Sequence, residues 1–60
     1  MTLSDYTLHM IANGLLIPTE QVIADMRDEL TAAGVDVPED VRHMAIAVRK
    51  LRGVPNPGAC

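Results

Sequence analysis

The residue with the greatest chemical potential in this 60-residue sequence is Cys60, its final residue and its one cysteine. A single cysteine cannot pair within the chain, so a disulfide framework is excluded. A terminal cysteine offers both a thiol and an α-carboxylate, which lets a metal enzyme bind the residue as a chelate through sulfur and oxygen. No His, Lys or Arg lies in residues 54–59 to activate the thiolate. We therefore expect Cys60 to be a substrate whose activating group comes from a partner.

The other residues that could do chemistry are better explained as structural. His9 and His43 are each followed by methionine, and neither has further ligands at the spacing of a metal site. Asp25, Asp28 and Glu29 could suggest paired carboxylates, yet such alternating charge is typical of a solvated helix face. The sequence predicts neither a metal site nor a cofactor of its own.

Length and charge limit what the chain can do. A chain of 60 residues buries only ~60% of the surface that its unfolded form exposes, and this one has no Phe and no Trp for its core. Because so small a core leaves little scaffold for a catalytic site, we expect that this chain is not an enzyme. Its formal net charge is -3, whereas a nucleic-acid binder usually carries a basic stripe.

Four of the five basic residues nevertheless lie close together: Arg42, Arg49, Lys50 and Arg52. They allow a DNA-binding alternative, although cations at a helix end also complement the helix dipole.

The longest unbroken apolar run, residues 15–17, is far shorter than the ~20 residues that cross a bilayer. No secretory signal is visible, and we expect a cytoplasmic protein without a membrane partner.

The first of three predicted helices begins near Thr2 or Ser4, either of which can cap it, and ends at Asn13-Gly14. Its apolar side is predicted to consist of Leu3, Tyr6 or Thr7, Met10 and Ile11. The connector Leu15-Leu16-Ile17 is expected to be buried.

The second predicted helix spans Pro18–Ala33, because proline suits a first helical position and Gly34 suits a helix end. Its apolar stripe consists of Val22, Ile23, Met26, Leu30 and Ala33. We expect Val22, Ile23, Met26 and Leu30, or their counterparts in the third helix, to contact a partner.

The third predicted helix begins in residues 36–40, where acids occupy the positive end of the helix dipole, and ends at Gly53. Its apolar stripe consists of Val41, Met44, Ala45, Val48 and Leu51. Residues 54–60 contain two prolines and a glycine, which predicts an extended tail that reaches at most ~25 Å.

The predicted fold is therefore all-α. Two or three short helices joined by Gly/Pro turns form a marginally stable recognition region over residues 1–53. Residues 54–60 form a flexible tail that ends in the modified residue.

This organisation resembles that of the pearlin-type scaffold peptides of the 3-thiaglutamate pathway, in their cysteine-extended form. The resemblance covers an acidic helical leader through Arg52, the tail 53–59 and Cys60, and its specific part is the tail with its final residue.

The resemblance implies a series of partners. A peptide aminoacyl-tRNA ligase would append Cys60 to Ala59, and a multinuclear-iron TIM-barrel oxidase with a small recognition subunit would then excise the cysteine β-carbon. The Cys60 thiolate and carboxylate would be ligands of that partner's iron. A carboxymethyltransferase and a protease would complete and release a small thiol-containing product.

Two other functions remain open from the residues alone. One is a small helical interaction or regulatory module, similar to an antitoxin or an adaptor, in which Cys60 is incidental. The other is DNA binding through the basic residues of the third helix.

Overall fold

The computed structural model of the chain describes residues 3–53 and has three α-helices over that range. Helix α1 spans Asp5–Ala12, α2 spans Glu20–Ala32 and α3 spans Val41–Arg52. The predicted all-α class is confirmed. The predicted tail, residues 54–60, lies outside the described residues.

Each helix begins at a residue whose side-chain oxygen accepts a backbone amide hydrogen bond from the first turn. Ser4 accepts from Thr7 N at 3.2 Å, and Thr19 accepts from Val22 N at 3.3 Å. Asp40 does the same for the third helix, over 2.8 Å. These bonds satisfy amides that have no partner inside the helix, and they determine where each helix starts.

The second helix is shorter than the sequence predicted. Thr19 is extended, with φ -75° and ψ 166°, so the helix begins at Glu20 and Pro18 lies before the cap. Ala33 is the C-terminal cap rather than a helical residue, and it is exposed, so its predicted place on the apolar stripe is wrong. The hydroxyl of Thr19 can accept an amide bond whereas Pro18 has no side-chain acceptor, and this difference moves the start by two residues.

The first two helices end in the same way, at a glycine with φ +73°. Gly14 N donates to Ile11 O, and Leu15 N donates to Met10 O. At the end of α2, Gly34 N donates to Thr31 O and Val35 N donates to Leu30 O. This is the Schellman arrangement, which requires a left-handed residue and therefore favours glycine.

The third helix lies at the centre of the molecule and packs against both others, whereas α1 and α2 form no helix pair with each other within residues 3–53. The buried core comes from all three helices and from Leu3, just before the first cap. It consists of Leu3, Leu8, Ile11, Met26, Leu30, Met44, Ala45 and Val48.

The predicted apolar side of α1 is partly wrong. Leu8 is fully buried, while Tyr6 is 72% exposed. Leu3 precedes the cap at Ser4, so its spacing to Tyr6 and Thr7 is not a helical spacing and misplaces the inward side. Within the helix itself, Leu8 and Ile11 set the buried face.

The expectation that residues 15–17 are buried is wrong. Leu15, Leu16 and Ile17 are 67%, 42% and 91% exposed. Both flanking helices turn their apolar sides toward α3, so the connector between them runs over the surface. Leu51, predicted to lie on the buried stripe of α3, is exposed as well. In that last turn Arg52, rather than Leu51, reaches the other helices.

Candidate functional site

The residues on which the predicted chemistry depends, Cys60 and Ala59, lie outside the described residues. What the structure does describe is the body from which they follow. Its last helix ends at Arg52, and Gly53 caps that helix in the left-handed conformation, with φ +77°. The tail therefore begins at a defined end of the helical body.

The predicted recognition stripe on α2 faces inward. Met26 and Leu30 are fully buried, and Val22 and Ile23 are partly buried against the same core. The counterpart stripe on α3 is buried at Met44, Ala45 and Val48. These side chains pack within the chain itself, so the folded body does not offer them as a docking surface. An amphipathic stripe predicts that one face of a helix is buried. It does not say whether that face packs within its own chain or against a partner.

Arg52 joins all three helices at the end of the body from which the tail follows. Its Nε and one terminal nitrogen donate to the two carboxylate oxygens of Glu29, each over 2.7 Å. The other terminal nitrogen donates to Leu3 O at 2.8 Å and to Asp5 Oδ1 at 2.9 Å. A planar guanidinium fits this bidentate geometry, and a lysine ammonium would not.

This cluster changes the acidity of its members. The hydrogen bonds from Arg52 hold the pKa of Glu29 below its ordinary value, against the opposing effect of partial burial. In turn, the hydrogen bond to Glu29 raises the pKa of Arg52 further above its already high ordinary value. Arg52 and Glu29 are therefore both charged at neutral pH, and the cluster is an ion pair rather than a proton-transfer site.

The carboxylates that the sequence placed together on α2 are used separately. Glu29 pairs with Arg52, while Asp25 accepts a hydrogen bond from the Gln21 amide at 3.0 Å. Their side chains therefore point to different partners. Asp28 is exposed, as a solvated face predicts, whereas Asp25 and Glu29 are partly buried. The prediction of a solvated face therefore holds only in part, and Asp25 and Glu29 do not form an acid–base pair.

The first histidine has a local structural role. His9 Nδ1 lies 3.3 Å from the Asn13 side-chain nitrogen, and Asn13 also donates to the His9 carbonyl at 2.7 Å. Across residues 3–53, no three His, Cys, Asp or Glu side chains are grouped so that they could hold a metal ion.

The basic residues of α3 do not form one stripe. Arg52 is held by Glu29 and Asp5, and Arg49 is partly buried, whereas Arg42 and Lys50 are exposed. Two exposed cations on α3, in a chain of net charge -3, give little of the electrostatic attraction on which DNA binding depends.

Comparison with protein-family models, with curated proteins and with solved structures found no match to this chain.

The sequence did not predict two features of the described residues. One is the exposed aliphatic connector Leu15–Ile17, and the other is the use of Arg52 as a tertiary ion-pair partner. The position of the connector between Gly14 and Pro18 was a usable signal, because both residues interrupt helices and favour surface loops. No local pattern identifies which carboxylates Arg52 reaches, since Glu29 and Asp5 are distant in sequence.

Within residues 3–53 every helix is too short or too polar to cross a bilayer.

Proposed function

We propose that this chain is a carrier peptide, the substrate of peptide-modifying enzymes, and that Cys60 is the residue they modify. The observation that carries the proposal is the division of the chain at Gly53. The described core uses residues between Leu3 and Val48, and the Pro/Gly segment that bears Cys60 follows the last helix. Such a body can bind an enzyme while the tail enters the active site, which raises the effective concentration of the thiol there.

The reaction we propose at Cys60 is excision of the β-carbon by a partner's iron oxidase. The S–Cβ and Cβ–Cα bonds break, and an S–Cα bond forms. The lost CH2 unit and one O2 together have the composition of formic acid, so O2 accepts the electrons and the carbon leaves as formate. Thiolate and carboxylate of a terminal Cys60 would both bind the partner's iron.

The proposed partners follow from the resemblance. A peptide aminoacyl-tRNA ligase would form the bond between Ala59 and Cys60 before oxidation. The oxidase would act with its small recognition subunit, and a carboxymethyltransferase and a protease would follow. Because aminoacyl-tRNA is a cytoplasmic substrate, the proposed function is cytoplasmic. The chain itself would need neither catalytic residues nor a metal.

Reconstitution with the oxidase complex tests the proposal. We expect the C-terminal fragment to lose the mass of one CH2 unit and one equivalent of formate to appear. Cys60→Ser should abolish the change while the body still binds. A chain extended by one glycine after Cys60 is the matched control. It keeps the thiol but converts the α-carboxylate of Cys60 into a peptide bond, so it too should remain unmodified.

An unchanged mass at Cys60, with active enzyme and bound peptide, would overturn the proposed function. Sequencing the gene is a second check on the order of events. A stop codon directly after the Ala59 codon would support enzymatic addition of Cys60.

A second candidate function is a helical interaction module, and the exposed connector Leu15–Ile17 favours it. In that case a partner would bind the body with equal affinity whether residue 60 is cysteine or serine, and no enzyme would change the mass of the tail. Binding of Cys60→Ser is expected in both cases, so the mass of the wild-type tail after incubation with the oxidase complex separates the two functions.

A further inference from the structure

Asparagine followed by glycine is a reactive pair, and this chain has one such pair, Asn13-Gly14, at the end of α1. The backbone nitrogen of the second residue can attack the side-chain amide carbon of the first and close a succinimide ring. Glycine favours the attack, because it has no Cβ beside its nitrogen and its backbone turns freely. The other asparagine, Asn56, precedes Pro57, whose nitrogen carries no hydrogen and cannot react in this way. The sequence therefore places this chemistry at Asn13.

The folded end of α1 holds the backbone of this pair in an unreactive arrangement. Asn13 has φ -93° and ψ 3°, and a ψ near zero turns the Gly14 nitrogen toward the backbone nitrogen of Asn13 and away from its Cβ. Gly14 N also donates to Ile11 O at 3.0 Å, and Leu15 N donates to Met10 O at 2.9 Å. Ring closure requires rotation about the Cα–C bond of Asn13, and that rotation breaks both hydrogen bonds.

The side chain of Asn13 is held as well. Its amide nitrogen donates to His9 O at 2.7 Å and lies 3.3 Å from His9 Nδ1. These contacts hold the amide group back against the last turn of α1, so its carbon is not free to approach Gly14. Asn13 and Gly14 are nevertheless both exposed, and the last turn of a helix opens more easily than its middle. Water therefore reaches the pair, and opening of one turn is enough to release it.

We propose that Asn13-Gly14 is a self-modification site, which is closed while the end of α1 is folded and reacts when that end opens. In the open state the Gly14 nitrogen loses its proton and attacks Cγ of Asn13. The N–Cγ bond forms, the Cγ–Nδ2 bond breaks, and the nitrogen leaves with a proton as ammonia. Water then opens the ring at either carbonyl, which gives aspartate or isoaspartate at position 13. One water is consumed for each ammonia released, and the reaction is independent of the function proposed for Cys60.

The modification would loosen the end of α1. The new carboxylate cannot donate to His9 O, and it lies at the negative end of the helix dipole. Isoaspartate also adds a backbone atom before Gly14, which displaces the amides of Gly14 and Leu15 from the carbonyls that they bind. Ile11, in the same turn, is fully buried, so the change reaches the core. Each modified chain is therefore easier to open than the chain from which it formed.

Timed incubation of the full chain at neutral pH, followed by peptide mapping and an assay for ammonia, tests the site. In guanidinium chloride the chain should be converted at position 13 about tenfold or more faster than the folded chain in buffer, because every molecule is then open. The products should be a mixture of aspartate and isoaspartate with an equal amount of ammonia. Isoaspartate is diagnostic, because it forms only through the ring. Asn56 should remain unchanged in both solutions.

A pair of variants tests the role of folding without denaturant. Leu30→Ala leaves the sequence around Asn13 intact but removes a fully buried side chain from the core, so it should raise the rate of conversion by about tenfold or more. Arg27→Ala, at an exposed position of the same helix, is the matched control and should be converted as slowly as wild type. Circular dichroism of each protein measures how much of it is folded during the incubation.

Three results would overturn the proposal. An unchanged Asn13 in denaturant would remove the site, and aspartate without isoaspartate would replace the ring mechanism by direct hydrolysis. Equal rates in the folded chain, in unfolded Leu30→Ala and in denaturant would show that the end of α1 does not close the site. None of these results bears on the mass of Cys60 after incubation with an oxidase, so this proposal and the proposed function fail separately.

Discussion

At the scale of single residues, Arg52 makes the side-chain hydrogen bonds that join distant parts of the chain within residues 3–53. Its guanidinium donates to α2, to the cap region of α1 and to the backbone of Leu3, and it does so from the last residue of α3. Since α1 and α2 do not pair, Arg52 joins two elements that otherwise meet through α3. The bond to Asp5 is the weaker contribution because that carboxylate is largely exposed.

Arg52→Gln should destabilise the fold by about 1–3 kcal/mol, because it leaves the partly buried Glu29 carboxylate and Leu3 O with fewer donors. Urea unfolding followed by circular dichroism measures the change. Lys50→Gln is the control, since it removes the same charge from an exposed position in the same turn. Equal destabilisation by both variants would show that the helix dipole, rather than the ion pair, is responsible.

The same pair predicts how stability depends on pH. The pKa of Glu29 is lower in the folded chain than its ordinary value, so the unfolded chain binds the proton more tightly. The contribution of Glu29 is therefore complete above the ordinary glutamate pKa of about 4.3, and it is lost as the pH falls through the lower folded value. The raised pKa of Arg52 adds no change here, because arginine stays charged throughout.

The stability difference between wild type and Arg52→Gln should therefore shrink as the pH falls below about 4. Urea titrations of both proteins at a series of pH values measure it. A difference that stays constant down to the acid limit of folding would contradict the role of the Glu29 pair.

At the scale of the elements, the caps determine where each helix begins and ends. Three side-chain oxygens start the helices, and left-handed glycines end them. These are local interactions, and the sequence therefore predicted the helix ends at Gly14, Gly34 and Gly53 correctly. It misplaced the start of α2, because a proline favours the first helical position, whereas the structure caps this helix at Thr19.

Gly34→Ala should cost about 1 kcal/mol, because the left-handed conformation at φ +73° is strained for an L residue even though nothing lies within 4 Å of the added Cβ. Gly34→Asn should cost less, since asparagine tolerates this conformation better. Urea midpoints for the two variants test the order. A larger loss for asparagine would show that side-chain size rather than backbone conformation matters at this turn.

At the scale of the whole molecule, the core is small and is shared among all three helices. Within residues 3–53, seven buried residues from the three helices and Leu3 form this core, which leaves little reserve of stability. Each core side chain then matters to the entire fold rather than to one helix.

Leu30→Ala should cost about 2–5 kcal/mol and leave the chain largely unfolded, because Leu30 is fully buried and the total stability of so small a domain is of the same order. Leu16→Ala, at an exposed position of the connector, is the control and should leave the thermal transition within a few degrees of wild type. Cooperative unfolding of Leu30→Ala at the wild-type temperature would contradict this description of the core.

Truncation after Gly53 should leave the helical content and the thermal midpoint nearly unchanged, since the described core ends at Val48 and the last tertiary hydrogen bonds come from Arg52. Circular dichroism of the full and shortened chains measures both quantities. A loss of cooperative unfolding on truncation would show that residues 54–60 take part in the fold.

The sequence also predicted most of the inward faces of α2 and α3, because both follow a helical period; Ala33 on the first and Leu51 on the second are exposed. It predicted neither the exposure of Leu15–Ile17 nor the outward position of Tyr6. The exposure of these residues depends on which helices pack together. A hydrophobic pattern predicts that a helix face is buried, but it does not identify the helix that covers it.

The sequence by itself determined the helical class, the three glycine-terminated segments and the Pro/Gly segment that ends in Cys60, since these depend on backbone conformation and nearest neighbours. The tertiary structure decided that α3 is central, that Arg52 reaches Glu29 and Leu3, and that the connector faces solvent. Such contacts join residues far apart in the chain, and packing, rather than any local preference, selects them.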